Sequence, residues 1–375
     1  MTQKTVVISI NASWNIVNFR MGLIRALQSA GYRVVALAPT DAFSGRLVEA
    51  GVEHVPIEMD NKGVSPVGDL GLLVRYFSAL RQIRPDFFLG YTVKPNVYGS
   101  LAAHALGIHV INNVSGLGTA FIRQGLLTRI VTRLYRLAFR RSTRIFFQNP
   151  EDRGLFVSAG IVPSRKAVLL PGSGVDLTRF SPPPAAPAAS GTFTFLLIAR
   201  LLWDKGVGEY VEAARLVRKA RPDARFELLG FLDVANRTAV RRADVDRWVE
   251  EGVIDYVGHA DDVRPHLARA DCVVLPSYRE GLPRTLLEAA AMGKPLIATD
   301  VPGCRHVVES SVNGYLCAAR DAASLRDAML RMLELDPRDR AAMGQAARRR
   351  AEEEFDERRV VDLYLQAIEE APGGS

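Results

Sequence analysis

The sequence predicts an α/β protein of two doubly wound parallel-sheet domains facing an interdomain cleft. Three observations predict it. Short apolar runs alternate with amphipathic stretches through the first half, a proline-rich break interrupts them, and the same alternation then restarts. Strands that alternate with helices form parallel sheets covered on both faces. A chain of 375 residues is long enough for two such domains.

In the first half, strands are expected at residues 5–10, 33–38, 86–90, 109–112 and 144–147, with helices at 17–30, 70–83 and 96–106. Residues 181–191 read Ser-Pro-Pro-Pro-Ala-Ala-Pro-Ala-Ala-Ser-Gly. Consecutive prolines continue neither a helix nor a central strand, so this stretch reads as a semi-rigid linker. Strands follow at 192–198, 225–229, 255–257, 271–275 and 295–299, and helices at 207–219, 284–292 and 324–333. The tail, 336–371, is helical and strongly charged. The expected division is a first domain over 1–180, the linker 181–191 and a second domain over 192–355. A C-terminal helix within 356–375 would cross back to the first. Each half is then a Rossmann-like unit, whose ligands bind at the carboxyl ends of the strands.

Hydrophobic residues at 48% and charged residues at 24% exclude a disordered or fibrous chain. No apolar run approaches the roughly 20 residues that span a bilayer. The start of the chain lacks the features of a secretory leader, so a cytoplasmic location is expected. Cys272, Cys304 and Cys317 have no CxxC spacing and read as thiols. The net charge of +7 is unevenly spread: residues 1–180 hold 21 Lys and Arg against 10 Asp and Glu, and no acid lies between Asp86 and Glu151. Such a surface attracts phosphates, anionic lipid or nucleic acid.

The strongest chemical signal runs from Val257 to Leu316. It holds Glu280 and Glu288, the turn Glu280-Gly-Leu-Pro283, Gly293-Lys-Pro295, and Gly314 after Asn313. The strand 271–275 delivers Glu280 and the adjacent amides to the sheet's carboxyl edge. The helix 284–292 begins there, and its unpaired N–H groups suit a diphosphate. Arg200 and Lys205 follow the strand 192–198 and supply two cations at the same edge. Two carboxylates and two cations on a surface are ordinarily just solvated; their shared place at strand ends favours a site. The six histidines lack metal-ligand spacing, and Asp244 and Asp246 fall on a helical stretch where both are expected to face solvent.

This segment resembles the retaining glycosyltransferases of family 4, which have the GT-B fold. Ala199-Arg200 with Lys205-Gly206, and Gly174-Val-Asp176 with Phe180, extend the resemblance over most of the second half. It implies a UDP-sugar as substrate, with no metal and no cofactor. Arg200, Lys205 and Glu280 become the catalytic candidates: the cations at the phosphates, Glu280 on hydroxyls of the transferred sugar. Glu288, on ribose hydroxyls, joins Gly281, Leu282 and Gly258 in binding the donor. Negative charge grows on the departing nucleotide, and fixed cations stabilise that state more than the ground state.

Residues 10–27, 91–113 and 114–125 are similar to a subgroup of this family that extends undecaprenyl-diphosphate-linked sugars. The resemblance implies a polyprenyl-diphosphate-linked saccharide as acceptor and an N-acetylhexosamine as the transferred sugar. The chain departs from the family's paired-glycine loop at Asn11-Ala-Ser13, and from one member's His-Lys-Ser-Asn at Val93-Lys-Pro-Asn96. Loops after the first, fourth and fifth strands would face the acceptor. Arg20 and Lys94 are candidates to hold its diphosphate, and Gly116 and Gly118 permit close backbone approach. A soluble acceptor is the alternative.

The helix 126–141 carries Arg129, Arg133, Arg136 and Arg140 on one face. Tyr135 and Phe139 are expected at its edges, with Leu127, Ile130, Leu134 and Leu137 turned inward. A charged stripe is usually a solvated face, but no acid nearby pairs with this one. An anionic inner-membrane surface is the expected partner, giving a peripheral location on the inner face of the plasma membrane. Nucleic acid is not expected, because no nucleic-acid motif accompanies the charge.

Overall fold

The computed structural model describes residues 3–60, 65–116, 126–182, 191–232 and 236–371. The chain divides into two units, Met1–Ser173 with Glu357–Ser375, and Gly174–Asp356.

The first unit is a seven-stranded parallel sheet. Its strands are β1 (Thr5–Ser9), β2 (Arg33–Ala38), β3 (Glu53–Pro56), β4 (Phe87–Tyr91), β5 (His109–Val114), β6 (Arg144–Phe147) and β7 (Ala167–Leu169). Its helices are α1 (Ser13–Phe19), α2 (Met21–Ser29), α3 (Ser44–Glu49), α4 (Pro66–Ile83), α5 (Ser100–Ala105), α6 (Leu126–Phe139) and α7 (Pro150–Ser158). The strand order β3-β2-β1-β4-β5-β6-β7 reverses direction between β1 and β4.

Side chains alternate across each strand, so β1 places Val6 and Ile8 on one sheet face and Val7 on the other. Val7, Val35, Leu37, Phe88 and Val110 pack under Leu72, Tyr76 and Leu80 of α4. Further along the same face, Val114, Ile145 and Phe147 pack under Val131, Tyr135 and Phe139 of α6 and Phe156 of α7. The opposite face carries Val6, Ile8, Leu89 and Phe146 against α2 and the C-terminal helix.

The second unit is a six-stranded parallel sheet of order β10-β9-β8-β11-β12-β13. Its strands are β8 (Thr194–Ile198), β9 (Arg225–Leu229), β10 (Asp255–Tyr256), β11 (Cys272–Leu275), β12 (Leu296–Thr299) and β13 (Gly314–Cys317). Its helices are α8 (Val207–Ala220), α9 (Arg242–Glu250), α10 (Arg264–Arg269), α11 (Arg284–Ala291), α12 (Ala322–Glu334) and α13 (Pro337–Glu354). The order reverses between β8 and β11. The last helix, α14 (Glu357–Glu369), belongs to the first unit, where Val360, Tyr364 and Ile368 are buried in its core.

Three features differ from the sequence expectation. The helix over 17–30 is two helices, α1 and α2, because Arg20 leaves helical geometry at φ −130° and ψ 0°. The first unit ends at Ser173 rather than at 180, since Val175 bridges to Asp356 and Phe180 is buried in the second unit's core. The proline-rich residues 183–190 lie outside the described residues.

Candidate functional site

In an open parallel sheet, loops diverge at the point where strand order reverses, leaving room for a ligand. In the second unit that point lies between β8 and β11. The chain leaves β8, makes a tight turn over Trp203–Lys205 and enters α8 through Gly206 at φ 72°. A Cβ on Gly206 would sit 2.1 Å from the carbonyl oxygen of Pro276, so only glycine lets this turn lie against the end of β11. The Tyr278 amide donates to the Asp204 carbonyl at 3.0 Å and ties the two loops together.

This packing brings Lys205 Nζ into an ion pair with Glu280 Oε1, the two side chains 20% and 14% exposed. The Ser277 hydroxyl donates to the same carboxylate oxygen at 2.6 Å. The loop after β12 braces Glu280 from the other side: its amide donates to Pro302 O at 3.2 Å, and a Cβ on Gly303 would meet Gly281 O at 2.6 Å. Thr285 Oγ1 donates to Ile198 O at 3.1 Å, pinning the start of α11 to the end of β8. Arg200 stands exposed on the β8–α8 loop and forms no ion pair among the described residues.

Gly281 and Leu282 are buried in the turn that opens α11. Glu288, one turn in, accepts from Arg284 Nε at 2.7 Å. Burial pushes its carboxyl above the ordinary carboxylate range, and Arg284 opposes that rise. Gly258, at φ 81°, accepts at its carbonyl from the Gly230 amide at 2.7 Å. A Cβ on Gly230 would lie 1.7 Å from Ala199 O, so the loops after β8, β9 and β10 also touch backbone to backbone. Beside Gly258, the His259 and Phe231 rings stack with centroids 4.7 Å apart.

The sequence-derived candidates of this half therefore share one sheet edge. Ser277, Tyr278, Phe231 and Thr285 are supporting members that sequence reasoning missed. Tyr278 donates to Glu209 Oε1 at 2.7 Å and lies under the Arg320 guanidinium at 4.6 Å. The lone glycine closing β9, Gly230, was a readable sign of close backbone approach. Asp244 corrects an expectation: it is buried, held by Arg241 at 2.9 Å and Arg247 at 3.3 Å, because its helix turns Val245 and Trp248 inward beside it. Among the described residues, no group of three or more His, Cys, Asp or Glu side chains converges as metal ligands would.

The first unit has its own reversal point between β1 and β4, and Arg20 lies there. It is 4% exposed, its guanidinium sits 4.3 Å over the Tyr91 ring, and its Nε has no hydrogen-bond partner. No described carboxylate pairs with it. Tyr364 of α14 closes the cluster and accepts from Asn113 Nδ2 at 2.9 Å. Directly after β4, Thr92 adopts φ 59°, and its hydroxyl is buried without a partner. A β-branched residue in that region is strained, and such strain collects at functional sites. The next turn, Pro95–Gly99, is a π-helix, held by Asn112 donating to Asn96 at 3.0 Å and to Ser100 at 2.8 Å.

Lys94 is engaged with buried Asp69 at 2.8 Å, and Tyr98 donates to the same carboxylate at 3.0 Å. Gly116 is half-buried at φ 148°; Gly118 lies outside the described residues.

Arg129, Arg133 and Arg136 on α6, and Arg140 directly after it, are exposed. Arg136 also donates to Ala159 O at 2.8 Å. The expected edges of this stripe are corrected. Tyr135 and Phe139 are core residues packed on Phe156, whereas Ile130 and Leu137 are 45% and 56% exposed. The inward face is set by Val131, Tyr135, Ala138 and Phe139, spaced to fill the space under α7. Leu134 is half-buried, and the Leu127 side chain lies outside the described residues.

Two doubly wound units with loop-built clusters at their reversal points define the GT-B architecture of glycosyltransferases. Residues 16–173 match the glycosyl transferase 4-like domain, and residues 192–335 match glycosyl transferases group 1. The chain belongs to this family and is a glycosyltransferase. It is 27% identical over 371 residues to the N,N'-diacetylbacillosaminyl-diphospho-undecaprenol alpha-1,3-N-acetylgalactosaminyltransferase of Campylobacter jejuni, covering 95% of this chain and 96% of the relative. It is 24% identical to the UDP-Gal:alpha-D-GlcNAc-diphosphoundecaprenol alpha-1,3-galactosyltransferase of Escherichia coli, covering 73% of each. Anabaena HepE in complex with UDP and glucose has the same fold, with a TM-score of 0.77 at 18% identity over 97% of this chain and 99% of that one.

Proposed function

We propose that the enzyme transfers an N-acetylhexosamine from a UDP-sugar to a polyprenyl-diphosphate-linked saccharide, retaining anomeric configuration and using no metal ion. The observation that carries this reading is the Lys205–Glu280 pair at the β8/β11 reversal point, with exposed Arg200 on the same loop. Transfer breaks the bond between the anomeric carbon and the diphosphate. The leaving oxygen gains negative charge as the sugar becomes oxocarbenium-like. Arg200 and Lys205 stabilise that charge, together with the amino end of α11. Glu280 orients Lys205 and accepts from sugar hydroxyls, Gly281 and Leu282 offer amides, and Gly258 lets the backbone approach. Glu288 receives the ribose.

The names of the relatives support a lipid-linked acceptor. The chemistry of Arg20 supports it too. A buried cation without a counter-charge is costly unless an anion completes it, and a diphosphate is such an anion. Lys94 would join it by exchanging its Asp69 contact. The arginines of α6 would hold the enzyme at the inner face of the plasma membrane.

The test is release of UDP from a panel of UDP-sugars, with and without a polyprenyl-diphosphate-linked saccharide, in the presence of EDTA. UDP release that requires both a UDP-N-acetylhexosamine and the lipid-linked acceptor, and survives chelation, is expected. Release with a free sugar as acceptor would favour the soluble-acceptor reading, and no release with any UDP-sugar would overturn the donor assignment.

A further inference from the structure

The helix α4 is unusual in what it leaves outside. Its inner face, Asp69, Leu72, Tyr76 and Leu80, is buried. Its outer face carries Val67, Leu70, Val74 and Phe77, which are 83%, 62%, 61% and 37% exposed. These four recur at i, i+3, i+7 and i+10, one unbroken stripe about 15 Å long. Single exposed apolar residues need no explanation; a contiguous row on one helix face does. Arg81 continues the stripe at its C-terminal end. Asp69, the only acid on α4, is turned inward and neutralised by Lys94.

The stripe has a neighbour of the same kind. Both α4 and α6 pack against the π-helix Pro95–Gly99, and both cover the same face of the first sheet. Their outer surfaces therefore point away from that face together. The outer surface of α6 offers Ile130 and Leu137 among its exposed arginines, and Val93, in the loop before the π-helix, is 36% exposed. Among the described residues of the second unit, by contrast, the large exposed apolar side chains are Trp203 in the β8–α8 loop, Val249 on α9 and Val312 in the loop before β13.

We propose that the outer faces of α4 and α6 form one docking surface for an anionic lipid bilayer. Val67, Leu70, Val74 and Phe77 enter the interface below the headgroups, and the arginines remain at the level of the lipid phosphates. The proposal rests on the lipid-linked acceptor argued above and extends it. It makes α4 the inserting element and gives α6 the charge. Charge selects the bilayer over a second copy of the chain. Pairing two such faces would bring arginine rows together with no exposed acid on either helix to oppose them, whereas anionic headgroups neutralise them.

The experiment places an environment-sensitive fluorophore on Val74→Cys in the full chain. Cys272, Cys304 and Cys317 are buried, so the introduced thiol is the one labelled. With vesicles of phosphatidylcholine and phosphatidylglycerol, a blue shift and protection from aqueous iodide are expected. With phosphatidylcholine alone both should be much weaker, and a label at exposed Glu212→Cys should not respond. The triple variant Leu70→Gln, Val74→Gln, Phe77→Gln alters only exposed positions, so its melting temperature should stay unchanged. Its partitioning onto anionic vesicles should fall at least tenfold. Its transfer to a short-chain, water-soluble diphosphate-linked acceptor without vesicles should be intact. A fluorophore that stays in water would overturn the proposal. So would light scattering that finds a wild-type dimer and a monomeric triple variant. A docked enzyme that transfers to no lipid-linked acceptor would instead sink the proposed function and leave the docking surface standing.

Discussion

Lys205 and Glu280 pair at the point where the strand order of the second sheet reverses. Each follows an apolar strand within a few positions, so the sheet topology alone brings them to one edge. Lys205→Ala removes the cation proposed to face the leaving group and should lower kcat/KM by about 10²–10³; it also strips the Glu280 carboxylate of its counter-charge and should lower the melting temperature. A loss below threefold in steady-state kinetics would refute that role. Arg20 was legible as a candidate but not as a buried one, because its burial depends on Tyr91 and Tyr364, which meet it only in the folded unit. Arg20→Met keeps volume and removes an unpaired buried charge. It should raise the melting temperature of the free enzyme while raising KM for the lipid-linked acceptor, an opposition of stability and function read by thermal melts and kinetics together.

Elements with long apolar runs were readable. The strands Arg33–Ala38, Arg144–Phe147 and Arg225–Leu229 fall where their residues indicate. The short strands Glu53–Pro56, Ala167–Leu169 and Gly314–Cys317 have too few residues to show a period. The helix α6 lies where its residues indicate, and the arginine spacing marks where its charge lies, yet its inner face follows Val131, Tyr135 and Ala138, which only packing on Phe156 reveals. This helix is also anchored by His104, whose Nε2 lies 2.9 Å from Ala138 O. Burial lowers the His104 pKa below its ordinary 6.5. The neutral ring is thus preferred in the folded state, and the unfolded chain takes up the proton first as pH falls. The stabilisation is complete above about pH 6.5 and is lost below it. His104→Gln should flatten the wild-type decline in melting temperature between pH 7 and pH 5.5; identical slopes would exclude the anchor. At the loop level, Gly206→Ala drives a Cβ into the Pro276 carbonyl at a positive φ. It should destabilise the second unit by about 1–3 kcal/mol and lower activity as the Lys205 turn shifts, as denaturant titration and kinetics would report.

At the scale of the whole molecule, composition had already separated the halves. The basic excess sits in residues 1–180, and the uncovered apolar stripes of α4 and α6 fall in the same unit. What charge counting could not expose is how the chain is threaded. The first unit begins at the amino end and is finished by α14, whose Tyr364 packs on Phe146 and Tyr91, whereas the second unit is one uninterrupted stretch. A fragment of residues 174–356 should therefore melt cooperatively by itself. Residues 1–173 should do so only when a peptide of residues 357–371 is added, and a cooperative melt of 1–173 alone would contradict this.

The same threading sets a schedule during synthesis. Of the two units, the one whose strands leave the ribosome first must wait, its hydrophobic seat for Tyr364 uncovered, until α14 has been translated. The later domain can close in the meantime. Termination of translation before α14 would then damage the unit made earlier, while leaving the second unit, residues 174–356, intact.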